Sequence, residues 1–297
     1  MNEKNVRGNS PKAWLLATRP KTLSAAVIPV IVACAMAYAD GGFKWFPAII
    51  CIAFAALMQI ASNLINDIYD FIHGSDKEDR LGPRRATAQG WISPTAMRVG
   101  IVFTVSLACI FGCLLVREAG LWLVFLGGAC VVFAFLYTTL FSYIGLGDIL
   151  VLLFFGLVPV TATYYLQTSA INAPVIMCAT ACGLVIDTLL VLNNYRDRTT
   201  DKQSGKRTII VMLGGKFGQR LYLLLGVAAC ALTLPLAFCG KYAAAILPLL
   251  YLFPHTATWK TMVRINHGRE LNRVLGLTSR NMLVFGLLLA IGLCAGI

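Results

Sequence analysis

The chain has 297 residues, 58% of them hydrophobic, and a mean hydropathy of +0.76. Soluble domains are roughly 45–50% apolar, so the composition excludes an ordinary water-soluble fold and points to repeated membrane crossings. The net charge of +12 is carried by segments between apolar runs, which excludes a nucleic-acid surface.

Residues 1–21 form a polar, basic arm that includes Lys4, Arg7, Lys12, Arg19 and Lys21. The first apolar run is as long as a full span, so no cleavable signal peptide is expected. Nine helices are predicted, at about 22–40, 45–72, 95–116, 120–140, 147–167, 172–196, 217–239, 242–262 and 279–296. Prolines inside them, such as Pro29 and Pro159, are tolerated where neighbouring helices re-satisfy the backbone. An odd number of spans puts the termini on opposite sides. The arm and the loops 73–98, 139–147, 196–220 and 260–280 then share one face, which holds 22 of the 25 Lys and Arg residues. Only Lys44, Arg117 and Lys241 remain for the other face. That asymmetry makes the N-terminus and the long loops cytoplasmic. The expectation is a single all-α, multi-pass domain over residues 1–297. The ten cysteines lie in apolar runs without framework spacing and read as small buried hydrophobes. The three histidines are scattered and form no metal or triad pattern.

Two charged stretches carry the chemistry. The second helix ends in Asn63-Leu64-Ile65-Asn66-Asp67-Ile68-Tyr69-Asp70, followed by Gly74-Ser75-Asp76, Asp79-Arg80 and Gly82-Pro83-Arg84-Arg85. At about 100° per residue, Gln59, Asn63, Asp67 and Asp70 share one face, with Asn66 at its edge. The sixth helix ends in Asn193-Asn194-Tyr195-Arg196-Asp197, with Asp201 beyond, then Gly205-Lys206-Arg207-Thr208. There Asn194, Asp197 and Asp201 share a face. Carboxylates with amide oxygens suit Mg²⁺, which takes one or two carboxylates and completes its shell with water and substrate phosphates. Arginine forks and lysines suit the phosphate oxygens. Both stretches leave the membrane on the same side, so they can face each other across one diphosphate. They also suggest an internal repeat in which the second and sixth helices correspond.

At these residues the chain resembles the UbiA-type intramembrane prenyltransferases, and within them the branch that acts on 1,4-dihydroxy-2-naphthoate in menaquinone synthesis. Further matches are Arg19-Pro20-Lys21-Thr22, Arg80-Leu81-Gly82-Pro83 and Tyr143-Ile144-Gly145-Leu146-Gly147-Asp148. The resemblance implies nine transmembrane helices around a central cavity capped on the cytoplasmic side. It implies that Asp67, Asp70, Asp197 and Asp201 bind magnesium diphosphate, with Asn63, Asn66 and Asn194 assisting. Arg80, Arg84, Arg85, Arg196, Lys206 and Arg207 are the expected phosphate-handling side chains, and Tyr143 and Asp148 belong to the substrate region. The expected partners are a polyprenyl diphosphate, 1,4-dihydroxy-2-naphthoate and the lipid bilayer, in a bacterial inner membrane. The chain departs from the ubiquinone branch at Gly74, where that branch carries a further aspartate.

Some single residues admit two readings. Asp148 either caps the fifth helix or holds a basic group at the site. Asp187 is an acid inside a span; it serves the reaction or pairs with Gln59 or Gln167. Lys21 binds a substrate carboxylate or anchors the chain at the membrane surface. Tyr137, Tyr143, Tyr164 and Tyr165 either shield a carbocation with their rings, as one or two of them are expected to, or pack between helices and against lipid. Rival functions are the same fold with another acceptor, such as 4-hydroxybenzoate, a phosphatidyltransferase, whose D-G-x-x-A-R pattern is missing, and a transporter for a phosphorylated solute.

Overall fold

The computed structural model describes residues 6–73, 81–137 and 145–296, and every regular element among them is helical. Gly74 through Arg80 and Tyr143 lie outside the described residues.

The arm is more ordered than its polarity implies. Ser10 accepts from the Ala13 N–H at 3.3 Å and caps α1 (Pro11–Thr18), with Pro11 pre-set for the first turn. Ala13 and Ala17 are buried against Leu64, Ile65, Ile92 and Met97. Arg19 then takes a left-handed backbone (φ 51°), and Pro20 opens α2 (Pro20–Ala39).

The chain continues through α3 (Trp45–Ile72), α4 (Pro94–Ala119), α5 (Trp122–Leu136) and α6 (Gly147–Val151). A π-helical stretch, Leu152–Leu157, joins α6 to α7 (Val158–Thr168). The wider turn sits just before Pro159, whose missing N–H cannot continue an α-helical ladder. Next come α8 (Ala173–Gln203), α9 (Ile209–Leu213) and α10 (Gly215–Thr233). The last elements are α11 (Tyr242–Ile246), a 3₁₀ stretch at Leu247–Tyr251, α12 (Leu252–Ile265) and α13 (Leu271–Cys294).

Among the described residues, seven helical runs are long and apolar enough to cross a membrane. Two of the nine predicted spans differ. The fourth, α5, is a shorter apolar helix over its described residues, which stop at Tyr137. The eighth is broken into α11, the 3₁₀ stretch at Pro248 and α12. The last helix starts earlier than the predicted 279, at Leu271. Its polar first turns hide an inward stripe of Leu271, Val274, Thr278 and Asn281.

Helix α3 has 28 residues and α8 has 31, so each is longer than the ~20 residues that cross a bilayer. Their charged last turns project beyond the apolar part. Helices α2 and α8 are inner elements, while α4 lies outside with Val102 and Phe103 exposed. Outward apolar side chains such as Phe125 and Phe253 suit a lipid-facing surface. Gly156 and Gly183 let the π-helical stretch cross α8 backbone to backbone. A Cβ on Gly156 would lie 2.7 Å from Gly183 Cα and 2.6 Å from the Ala179 carbonyl oxygen.

The two ends of the bundle are chemically distinct. At one, Tyr164 and Lys241 both donate to Asp40 at 2.7 Å, and the Lys44 N–H donates to Gln167. At the other, Ser279 donates to the Lys21 carbonyl at 2.8 Å, and Asn272 donates to the Leu81 carbonyl at 2.6 Å. The segments predicted to share a face therefore do meet.

Candidate active site

A cavity of about 340 Å³ opens inside the bundle, between α2 to α8 and the π-helical stretch. Its deep wall is apolar, with Phe54, Leu115, Leu126, Phe133, Phe154 and Phe155. Toward the charged end the lining turns polar: Arg19, Thr22, Gln59, Ser62, Asn66 and Asn193. Arg19 is the one charged side chain among the described lining residues. A long apolar chain with an anionic head fits this gradient.

Lining residues on α3 recur as Phe54, Met58, Ser62 and Asn66, at a spacing of four. Asp70 continues that line past the cavity and forms an ion pair with Arg85. Asp67 stands about 100° round the helix. It is 1% exposed, and its carboxylate accepts from the Ala86 N–H at 2.8 Å and the Thr87 N–H at 2.9 Å. The expected metal role for Asp67 thus meets a carboxylate already bonded to backbone, and Asn66 lies at the centre of the cavity face, not at its edge. On α8 the lining runs Ile186, Leu189, Leu190 and Asn193, and Asp197 and Asp201 follow at the same spacing. Asn193, not the predicted Asn194, faces the cavity.

Asp197 takes a two-pronged ion pair from Arg196, with Nε to Oδ1 at 2.7 Å and Nη2 to Oδ2 at 2.6 Å. Arg196 is buried and also donates to Asn272, so it serves as a strut more than as a phosphate ligand. Asp201 lies 3.8 Å from Lys206 and within electrostatic range of Asp197 and Asp70. Charges of the two motifs therefore act on each other. Arg84 is exposed and reaches Gln89 at 3.4 Å, and Arg207 is exposed on the α8–α9 connection.

Asn63 lines the cavity, but its amide donates to the Thr18 carbonyl and to Thr22, each at 2.9 Å, fastening α3 to the α1–α2 junction. Lys21 is exposed and outside the cavity lining, and Arg19 occupies the place expected of it. Leu146, not Asp148, is the N-cap of α6. Asp187 is 5% exposed and does not pair with Gln59 or Gln167; Gln59 bonds Asn63, and Gln167 bonds Lys44 and Cys34. Of the tyrosines, Tyr137 lines the cavity, Tyr164 bonds Asp40 at the opposite end, and Tyr165 meets Trp122 edge-on. Arg85, expected at phosphate oxygens, is buried and paired with Asp70, and Asn272 had no expected role; their partners lie 15 and 76 residues away.

Among the described residues, no three His, Cys, Asp or Glu side chains stand together as a ready metal cage. The donors are nonetheless oxygen-only: Asn66 and Asn193 in the lining, with Asp70, Asp197 and Asp201 following on the same helix rows. They fit a hard cation whose shell is completed by substrate oxygens and water.

A helical bundle holding an apolar cavity, with acids and bases from two helix ends over one mouth, defines a class of protein that handles a long-chain anionic lipid within the membrane. The chain belongs to the UbiA prenyltransferase family, whose model matches residues 26–273. It is 40% identical to 1,4-dihydroxy-2-naphthoate octaprenyltransferase of Escherichia coli (strain K12) over 230 residues, 74% of this chain and 75% of that one. The protein of the same description in Haemophilus influenzae (strain ATCC 51907 / DSM 11121 / KW20 / Rd) is 35% identical over the full length of both. A UbiA homolog from Archaeoglobus fulgidus, solved bound to DMAPP and Mg²⁺, shares the fold with TM-score 0.60 and 15% identity, over 94% of this chain and 99% of that one.

Proposed function

We propose that this chain transfers a polyprenyl group from a polyprenyl diphosphate to 1,4-dihydroxy-2-naphthoate, releasing carbon dioxide and diphosphate and leaving demethylmenaquinol. The observation that carries the reading is an apolar cavity whose lining rows on α3 and α8 run on to Asp70 and to Asp197 and Asp201, with Asp201 in electrostatic range of Asp70. The relatives' shared description supports the choice of acceptor.

The prenyl chain lies along Leu126, Phe133, Phe154 and Phe155, and the diphosphate sits at the mouth. Asp70, Asp197 and Asp201, with Asn66 and Asn193, would hold Mg²⁺. When bound, Mg²⁺ neutralises charge that builds on the departing diphosphate. Lys206, Arg84, Arg207 and Arg80 add positive charge at the phosphate oxygens. The apolar wall excludes water from the allylic cation, and the Tyr137 ring faces the same space. Arg19 meets the acceptor's carboxylate, and the enclosing walls hold the electron-rich ring against the cation. We further propose that α5 and the 242–265 segment also cross the bilayer. That makes nine spans in a single domain, with a cytoplasmic mouth and N-terminus in a bacterial inner membrane.

Purified protein is offered one polyprenyl diphosphate with several aromatic acceptors, and the products are read by mass spectrometry. Prenylated demethylmenaquinol is the expected product. Turnover only with 4-hydroxybenzoate would replace the acceptor, and no aromatic product at all would overturn the reading.

A further inference from the structure

Asp67 and Asp70 sit one helical turn apart, yet they grip the following loop in different ways. Asp70 holds it by a side chain, the Arg85 guanidinium. Asp67 holds it by backbone, through two consecutive N–H groups at Ala86 and Thr87. Those residues open a compact turn. The Gln89 N–H donates to the Arg85 carbonyl at 3.0 Å, and the Trp91 N–H donates to the Ala86 carbonyl at 2.9 Å. The turn is docked on the bundle through Ala86 and Ile92, both buried with Ala13, Ala17 and Leu64. It is also tied to the N-terminal segment, since the Asn9 N–H donates to the Trp91 carbonyl at 2.7 Å.

A carboxylate buried to 1% exposure needs compensation, and two main-chain donors supply it. An aspartate suits this place because both oxygens accept; an asparagine would turn an NH₂ group toward one of the N–H donors. The side chain also points off the Ser62–Asn66–Asp70 line that faces the cavity mouth.

We infer that Asp67 is a positioning residue: it pegs the 85–92 turn so that Arg85 is presented to Asp70, and it does not ligate the metal. The inference rests on the proposed prenyltransfer but is read out separately from it. With the peg in place, Asp70 and its arginine keep a fixed geometry at the mouth.

The test uses the full-length protein in lipid nanodiscs, with hydrogen exchange over residues 84–92 and Mn²⁺ binding followed by electron paramagnetic resonance beside a non-hydrolysable prenyl diphosphate. In the wild type, the Ala86 and Thr87 amides should exchange slowly, and Mn²⁺ with the analogue should leave them slow. Asp67→Asn should speed that exchange by roughly tenfold to a hundredfold, the range for losing hydrogen bonds to a charged group. It should keep the Mn²⁺ stoichiometry and raise KM for the prenyl diphosphate more than it lowers kcat. Asp70→Asn should weaken Mn²⁺ binding while Ala86 and Thr87 stay protected. The inference is overturned if Asp67→Asn abolishes Mn²⁺ binding with those amides still protected. It is equally overturned if metal and analogue release the amides in the wild type, a measurement that needs no variant to fold. A wild type that prenylates no aromatic acceptor would sink the proposed function, while exchange and Mn²⁺ binding would still decide the role of Asp67.

Discussion

Arg196 donates from Nη1 to Asn272 Oδ1 at 2.8 Å, and Asn272 donates onward to the Leu81 carbonyl at 2.6 Å. One asparagine thus joins the end of α8, the start of α13 and the segment after α3. Arg196 is 4% exposed, so its orientation depends on these partners. Asn272→Ala leaves a buried guanidinium nitrogen and a backbone carbonyl short of a partner. The expected cost is about 1–3 kcal/mol, seen as a lower thermal midpoint in detergent. Turnover should fall with it, since Arg196 also orients Asp197.

Much of this was legible in the sequence. Hydropathy located the helices, and the charge count separated the two ends that Asp40–Lys241 and Arg196–Asn272 now mark. The pairing of the two acidic motifs was legible too. The rotation of each motif about its helix was not. A carboxylate at i and one at i+3 lie only about 60° apart, so spacing alone cannot say which one faces the cavity. Asp67 and Asp70 divide on that point, as do Asn193 and Asn194. Buried alanines at Ala13 and Ala17 inside a basic arm gave too weak a stripe to announce α1.

Orientation is tested by labelling single cysteines in intact cells, in a background lacking exposed native cysteines such as Cys239. Tyr242→Cys, at a position 66% exposed and next to Lys241, should react with an impermeant maleimide added from outside. Gln203→Cys, at the far end of α8, should react only after permeabilisation. Outside labelling at Gln203→Cys would reverse the proposed topology.

Asp201 feels the charges of Asp197 and Asp70, and the proposal makes the three parts of a single diphosphate site. Asp197→Asn and Asp201→Asn should each cut turnover by roughly a hundredfold or more. The double variant should be little worse than the poorer single one, because groups acting as a unit are non-additive. EDTA should silence the wild type and added Mg²⁺ restore it. Activity that survives thorough chelation would remove the metal from the proposed mechanism.

The acceptor assignment makes the sharpest demand. The 1- and 4-hydroxyls of the naphthoate enrich its ring, so the carbon bearing the carboxylate can attack an allylic cation held beside it. The new bond forms at that carbon, and the carboxylate's carbon–carbon bond breaks, returning its electrons to the ring as carbon dioxide leaves. No ring proton need be removed there. This agrees with a cavity in which Arg19 is the only charged lining residue among those described and no histidine takes part. With 1,4-dihydroxy-2-naphthoate labelled at the carboxyl carbon, label should leave as carbon dioxide in step with product. Arg19→Ala should raise KM for this acceptor by about tenfold, the loss expected when a buried charged hydrogen bond is removed, while leaving KM for the prenyl diphosphate nearly unchanged. A prenylated product that keeps the label would reject the decarboxylative reaction and leave prenyl transfer itself standing.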